Sequence, residues 1–434
     1  MSVEIRSHLQ TKPMNWFQIV AVTICVLISF IDGFDVLAIA YVSPIIAEQW
    51  QLSGNQLGSL FSAALLGMVI GALFISPLAD RFGRRAIILI CLIILSLGMF
   101  CSGLSSNYNM LLISRLFTGF GMGAILPLIN TVVAEYSSLR YRSLAISIMA
   151  VGYTVGSIVS GFLSIYVIHW LSWEYIFYIG GLFSFCLIPA TFYYLPDSLD
   201  YVLQKNHPSQ LKKLNQLLTR LDIPTQQNFP KVEDKTQKRT SFFILFSRPL
   251  YKSAILLSVS YFMLMCSFYF LVNWMPKILV NWGYSVDTSI QISLIMNICG
   301  IAGGLILGFC SREYALQKVI MAMLFIGFVT VSLLGWQNQL ILIIGGVMVI
   351  GVALFGAMAG LYATAPILFS TDIRATGTGF VLGVGRLGAA LGPYVAGLLI
   401  NTQISAPIYF FILALPLLIA MLSLSFISYQ NSDN

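Results

Sequence analysis

The chain has 434 residues, of which 58% are hydrophobic and only 9% charged, with a mean hydropathy of +0.88 and a net charge of +7. A water-soluble globule carries about 25% charged residues, so this composition excludes that class and requires lipid as the solvent. The positive balance does not point to nucleic acid either, because the basic residues fall in an ordered pattern along the chain.

A bilayer-spanning helix needs about 20 mostly apolar residues. Twelve such spans are predicted near 16–41, 55–79, 86–104, 108–135, 143–166, 173–195, 250–276, 288–309, 316–334, 340–367, 375–400 and 405–428. Span 1 contains Asp32, Gly33, Phe34 and Asp35, and its acids, three residues apart, share one helical face. The connection after span 2 reads Ser76, Pro77, Leu78, Ala79, Asp80, Arg81, Phe82, Gly83, Arg84, Arg85. Span 4 carries Arg115, followed by Gly119, Gly121 and Gly123, with Asn130 further on. Leu195, Pro196, Asp197, Ser198 and Leu199 close span 6. From Pro196 to Pro249 the chain is polar and basic, with Leu211, Leu214, Leu217, Leu218 and Leu221 recurring at helical spacing beside Lys212, Lys213 and Arg220. That stripe is expected to lie on the inner membrane surface, drawn by anionic lipid, or else to belong to a solvated linker. Asn273, Trp274, Met275 and Pro276 end span 7, Tyr362 lies in span 10, and Arg386 sits mid-way along span 11 among Gly383, Gly385, Gly388, Gly392 and Pro393.

Of the 23 Lys and Arg residues, Arg115 and Arg386 lie inside spans and Lys277 in an odd-numbered connection. The other twenty precede span 1 or lie in or bordering even-numbered connections. By the positive-inside rule that side is cytoplasmic, and both termini face it. The seven cysteines are scattered singly through apolar helices and read as packing residues. Span 1 has a polar lead and no small-residue cleavage site after it, so no removable signal peptide is expected. His169 in a far connection and His207 in the central segment lack the neighbours that metal binding or nucleophilic catalysis would require, so neither a metal, a cofactor nor an enzyme activity is expected.

Sliding the chain on itself by 232 residues superimposes Pro44 on Pro276, Ile46 on Ile278, Trp50 on Trp282, Ser53 on Ser285, Gly71 on Gly303, Gly119 on Gly351, Arg142 on Arg374 and Gly156 on Gly388. Six spans separate equivalent positions, so the halves share one membrane orientation, as in parallel repeats of a rocking carrier. The fold expected is therefore all-α, twelve transmembrane helices as two parallel six-helix repeats, divided into 1–195, a basic central loop 196–249, and 250–434.

A charge at the bilayer centre costs about 2.5–3.5 kcal/mol even on a lenient scale, so each one present needs a reason. Asp35 and Arg115 enter their spans to similar depth from the far end, and the two could meet. Burial favours a neutral acid and an adjacent guanidinium an ionised one; that competition makes Asp32 and Asp35 candidates to load and release a proton, with Arg115 setting their field. Arg386 offers a planar, permanently charged fork that fits a carboxylate, and the glycines around it allow close approach. The plainer alternative is a structural Asp35–Arg115 pair and an Arg386 that serves helix packing. Asn130, Tyr153, Trp274, Asn297 and Tyr362 are candidates to shape a binding cavity, although aromatics at helical spacing more often pack.

These motifs resemble the major facilitator superfamily, whose loop after span 2 reads Gly-x-Leu-Ala-Asp-Arg-x-Gly-Arg-Arg/Lys; Ser76 departs from the first glycine. Arg115 with its following glycines and the Pro-Asp-Ser element are similar to further motifs of that superfamily. The segments around Asp32–Asp35, Asn273–Pro276 and Gly385–Gly388 resemble the aromatic acid:proton symporters. The resemblance implies proton-coupled uptake of a small aromatic carboxylate, such as a benzoate or hydroxybenzoate, across the cytoplasmic membrane by alternating access. It makes Asp32 and Asp35 the coupling acids and Asp80 a gating residue, joined here by Gly83, Arg84 and Arg85. Arg386, Asn130, Trp274 and Tyr362 are the expected substrate contacts. The partners expected are a small organic anion, protons and membrane lipid, with no nucleic acid. Rival readings are a symporter of a muconate-like dicarboxylate or nicotinate, and, disfavoured by Arg386, a drug:proton antiporter.

Overall fold

The computed structural model describes residues 13–198, 202, 208–221, 223–225, 250–369, 373–402 and 404–427. They form α1 (Trp16–Gln49), α2 (Gly54–Phe74), α3 (Leu78–Phe82), α4 (Arg84–Gly103), α5 (Tyr108–Tyr136), α6 (Arg142–Trp170), α7 (Glu174–Tyr194), α8 (Pro208–Arg220), α9 (Leu250–Asn281), α10 (Val286–Glu313), α11 (Leu316–Leu334), α12 (Leu340–Leu368), α13 (Arg374–Asn401) and α14 (Ala406–Ser425). All except α3 and α8 are long and apolar enough to cross a membrane, which makes twelve spans in a multi-pass protein. The all-helical outcome follows from the solvent, since lipid offers no partner for backbone N–H and C=O groups and helices satisfy their own.

Polar side chains start the helices where the chain leaves the apolar region. Ser53 and Gln56 form a reciprocal box at the head of α2, with Ser53 N donating to Gln56 Oε1 at 2.9 Å and Gln56 N donating to Ser53 Oγ at 3.3 Å. Asn107 accepts from Met110 N at 3.0 Å to cap α5, and Ser285 accepts from Thr288 N at 3.2 Å to cap α10. Several helices outrun the predicted spans. Lys277, expected in a connection, sits in α9 because that helix continues to Asn281.

The chain divides into two compact units, one formed by Met1–Val36, Gly67–Ser160 and Glu174–Thr236 and the other by Leu37–Leu66, Gly161–Trp173 and Gln237–Asn434. In the first, α4 packs on α5 and α7. In the second, α9 packs on α13, α10 on α12, and α11 on α12 and α14. Helix association in lipid relies on close backbone approach at small residues, and the 232-residue repeat recurs at that level. A Cβ added to Gly71 would lie 2.0 Å from the Phe120 carbonyl oxygen, and one on Gly303 would lie 2.2 Å from that of Val352, the residue equivalent to Phe120. Likewise Gly156 abuts the carbonyl of Phe30 (1.9 Å) and Gly388 that of its equivalent Phe262 (2.2 Å). The same crossings are built twice from glycines at matching positions.

The second unit also closes the ends of its helices away from the basic connections. There Gly54 approaches Gly397 and Gly58 approaches Pro393, while the Phe61 and Trp274 rings meet edge to face at 5.3 Å. At the end of α6, His169 Nε2 lies 2.7 Å from Asp287 Oδ2 in the first turn of α10.

The central leucine stripe does not face lipid. In α8, Leu214 and Leu218 are fully buried, the Arg220 carbonyl accepts from Asn15 Nδ2 at 2.8 Å, and the Arg220 guanidinium lies 5.5 Å from the Phe17 ring centroid. The helix is docked onto the start of α1. Its periodicity specifies an apolar partner without distinguishing lipid from protein.

Candidate functional site

In the first unit, the charges of α1 and α5 do meet. Arg115 Nη1 donates to Asp35 Oδ1 at 2.8 Å, and both side chains are wholly excluded from solvent. The rest of the guanidinium is also satisfied: Nε donates to Ser102 Oγ at 2.9 Å, Nη2 to Thr118 Oγ1 at 3.1 Å, and its carbon lies 4.6 Å from the Phe177 ring centroid. One cation therefore ties α1, α4, α5 and α7 together. Asp35 Oδ2 has no hydrogen-bond partner among the described residues, so the pair is neutralised in charge while one acceptor remains unused. Asp32 is equally buried, at 1% exposure, one turn earlier on the same face of α1. Gly33 between them lets α1 press on α6, since a Cβ there would fall 1.9 Å from the Tyr153 carbonyl oxygen.

At the basic end of the same unit, Gly83 adopts φ +91°, a left-handed value that suits glycine, and links α3 directly to α4. Arg84 forms an ion pair with Glu135 near the end of α5. Arg85 donates to the Phe192 carbonyl and stacks over the Phe192 ring at 5.1 Å. The loop after α2 is thus fastened to α5 and α7 by two cations. Asp80 lies in α3, and its side chain is outside the described residues. Glu135 escaped the sequence reading, which weighed mid-span charges and passed over an acid in the last turn of span 4; its position just before Arg140 and Arg142 was the available signal.

In the second unit, α13 lies on α9 through three glycines. Cβ atoms on Gly388 and Gly392 would fall 2.2 Å from the carbonyl oxygens of Phe262 and Cys266, and one on Gly385 would fall 1.8 Å from Cδ1 of the Tyr261 ring. Arg386 follows immediately, partly buried. Tyr261 lies within reach of its charge and meets the Tyr362 ring edge to face at 5.4 Å and 71°. Tyr362 on α12 is 45% exposed, while Tyr261 is buried. Beside Gly379 and Gly383, on the preceding turns of α13, there is open space. A guanidinium, a half-exposed tyrosine and room beside the helix form a combination that suits an anion with a flat apolar body. Tyr261 had no distinguishing mark in an aromatic-rich span.

The other expected contacts are distributed differently. Trp274 is buried, its Nε1–H donating to the Pro393 carbonyl at 2.9 Å, which makes it a strut between α9 and α13. Asn297 is buried and donates to the Ser293 carbonyl of its own helix at 3.0 Å. Asn130 is exposed on α5 and, at the 232-residue offset, is the counterpart of Tyr362. Among the described residues no group of three or more His, Cys, Asp or Glu could hold a metal ion.

Comparison with known proteins adds a frame to this geometry. The family model for the Major Facilitator Superfamily matches residues 25–371. A gallate transporter of Pseudomonas putida is 32% identical over 425 residues, covering 97% of this chain and 94% of the relative. The 4-hydroxybenzoate transporter PcaK of Acinetobacter baylyi is 29% identical, covering 96% of this chain and 92% of the relative. Among solved structures, a D-xylose-proton symporter matches with a TM-score of 0.73 at 13% identity, over 95% of this chain and 98% of the other, a likeness of fold alone.

Proposed function

This chain belongs to the Major Facilitator Superfamily, and we propose that it carries a small aromatic carboxylate such as a benzoate or hydroxybenzoate into the cell, together with one or more protons, by alternating access. It is a multi-pass membrane transporter and not an enzyme. The observation that carries the substrate reading is Arg386, partly buried in the middle of α13 beside Tyr261 and the half-exposed Tyr362. Guanidinium pairs with a carboxylate through two parallel N–H donors, and a tyrosine edge offers the flat contact an aromatic ring prefers. The full-length similarity to gallate and 4-hydroxybenzoate transporters supports the same substrate class.

The halves that rock are read as 1–195 and 250–434, joined by the basic segment 196–249, and the doubled glycine crossings support that division. The side of the basic connections is read as the cytoplasm, with both termini there and the protein in the inner membrane. Asp32 and Asp35 are the proton-responsive groups, and Arg115 sets their field. Arg386 and Tyr362 are read as substrate contacts, and Asn130 as a candidate contact in its own unit, while Trp274 acts through the helix it braces. Asp80, Gly83, Arg84 and Arg85 form the gate at the basic end. Coupling follows from linkage: if protonation of the α1 acids and binding of the anion each shift the balance between two global states, each changes the affinity for the other.

The test is uptake of a panel of labelled acids by cells expressing the protein, comparing benzoate, 4-hydroxybenzoate, gallate, nicotinate and a muconate-type dicarboxylate. Saturable uptake of the benzoates, uncompeted by the dicarboxylate, is expected. Preference for the dicarboxylate or nicotinate moves the assignment to that acid, and export of a cation in its place overturns it.

A further inference from the structure

We propose that Tyr261 is the positioning residue of the substrate site, holding the Tyr362 ring at the height of Arg386 and so setting selectivity for an aromatic over an aliphatic carboxylate. The inference rests on reading Arg386 and Tyr362 as contacts of the transported acid. Three observations lead to it. Tyr261 is 2% exposed, so it meets no substrate directly. Its ring fills the space that glycine vacates at position 385, where a Cβ would stand 1.8 and 2.2 Å from Cδ1 and Cε1. The backbone turn that presents Arg386 therefore rests against the Tyr261 ring. The third observation is the link to Tyr362: an edge-to-face contact at 5.4 Å and 71° joins the buried ring to one that is 45% exposed.

A free tyrosine side chain samples several rotamers. The edge-to-face contact with the Tyr261 ring, itself held against α13 at Gly385, limits the positions Tyr362 takes relative to that helix. The same buried ring thus fixes both the backbone that carries the cation and the aromatic that accompanies it. Preorganisation of this kind acts on affinity by removing the ordering cost at binding. It also favours a ligand whose flat body meets the fixed ring, because an aliphatic acid gains the charge contact and forfeits the ring contact.

The decisive variant is Tyr261→Leu, which removes the ring that lies against both Gly385 and Tyr362. Whole-cell uptake of labelled 4-hydroxybenzoate should show KM raised about two- to tenfold, the size of one aromatic pair, with maximal rate within about twofold. Competition by an aliphatic carboxylate should be unchanged, so the aromatic-to-aliphatic ratio falls by the same factor. Tyr362→Leu should do likewise, and the double variant should be no worse than either single one. Gly385→Ala, which must displace the Tyr261 ring, should reproduce the KM rise. An unaltered KM in Tyr261→Leu, or additive rises in the double variant, overturns the proposal. Thermal unfolding of the same three Tyr variants in detergent separates the two levels: non-additive Tm losses without any aromatic uptake by the unsubstituted protein would reject the substrate reading, whereas additive Tm losses reject the Tyr261–Tyr362 link itself.

Discussion

Arg115 and Asp35 face each other at 2.8 Å with neither side chain touching solvent, and every other polar contact of the arginine is made within the same unit. Removing one member of such a pair leaves an uncompensated buried charge, at a cost of about 3–5 kcal/mol. Arg115→Leu should therefore lower the unfolding temperature in detergent sharply, and Asp35→Leu added to it should recover most of the loss. A single variant as stable as the unsubstituted protein would show that water reaches the pair.

The doubled crossings give a stability prediction with its own control. Gly156→Ala and Gly388→Ala place a methyl 1.9 and 2.2 Å from the carbonyl oxygens of Phe30 and Phe262. Each should destabilise by about 1–3 kcal/mol and by similar amounts. Gly383→Ala, with open space around it, should change stability by less than about 0.5 kcal/mol. Thermal scans of the three variants read this directly; equal effects at all three positions would contradict the packing described.

His169 and Asp287 join the ends of α6 and α10 on the side away from the basic connections. Asp287→Asn removes the charged acceptor of that contact and should weaken it. A cysteine introduced at Leu57, a buried residue of α2, should then react faster with a water-soluble maleimide than the same cysteine does beside an intact Asp287, at one fixed pH. Labelling that ignores the substitution would remove the pair from any part in closing that end.

Arg386→Lys retains the charge and loses the planar fork. The KM for a benzoate-type acid should rise by about tenfold or more, given the strength of bidentate pairs relative to a point charge, with membrane abundance unchanged on immunoblot. Normal affinity in that variant would take Arg386 out of the substrate site.

Much of this was legible in the sequence because lipid leaves little freedom. Twelve apolar runs give the number of spans found among the described residues without reference to packing. The meeting of Asp35 and Arg115 followed from their matching depths and the cost of leaving either alone. Partners supplied by neutral side chains were not legible: Ser102, Thr118 and Phe177 around Arg115, or Tyr261 beneath Gly385, look like any other residues of an apolar helix. Trp274 shows the converse, a conspicuous residue whose hydrogen bond to Pro393 commits it to holding helices together. The repeat helps to separate the two cases. At the 232-residue offset Asp32 faces Leu264, Arg115 faces Val347 and Arg386 faces Thr154. The glycine crossings occur in both halves, whereas Asp32, Arg115 and Arg386 each have an uncharged counterpart at the offset.

Coupling of substrate accumulation to protons through the acids of α1 is measured in proteoliposomes with an imposed proton gradient, acidic outside, by following labelled 4-hydroxybenzoate. The unsubstituted protein should accumulate it above equilibrium, an excess that collapses with a protonophore, and Asp32→Asn at equal reconstitution should only equilibrate it. Accumulation by Asp32→Asn equal to that of the unsubstituted protein would contradict that coupling.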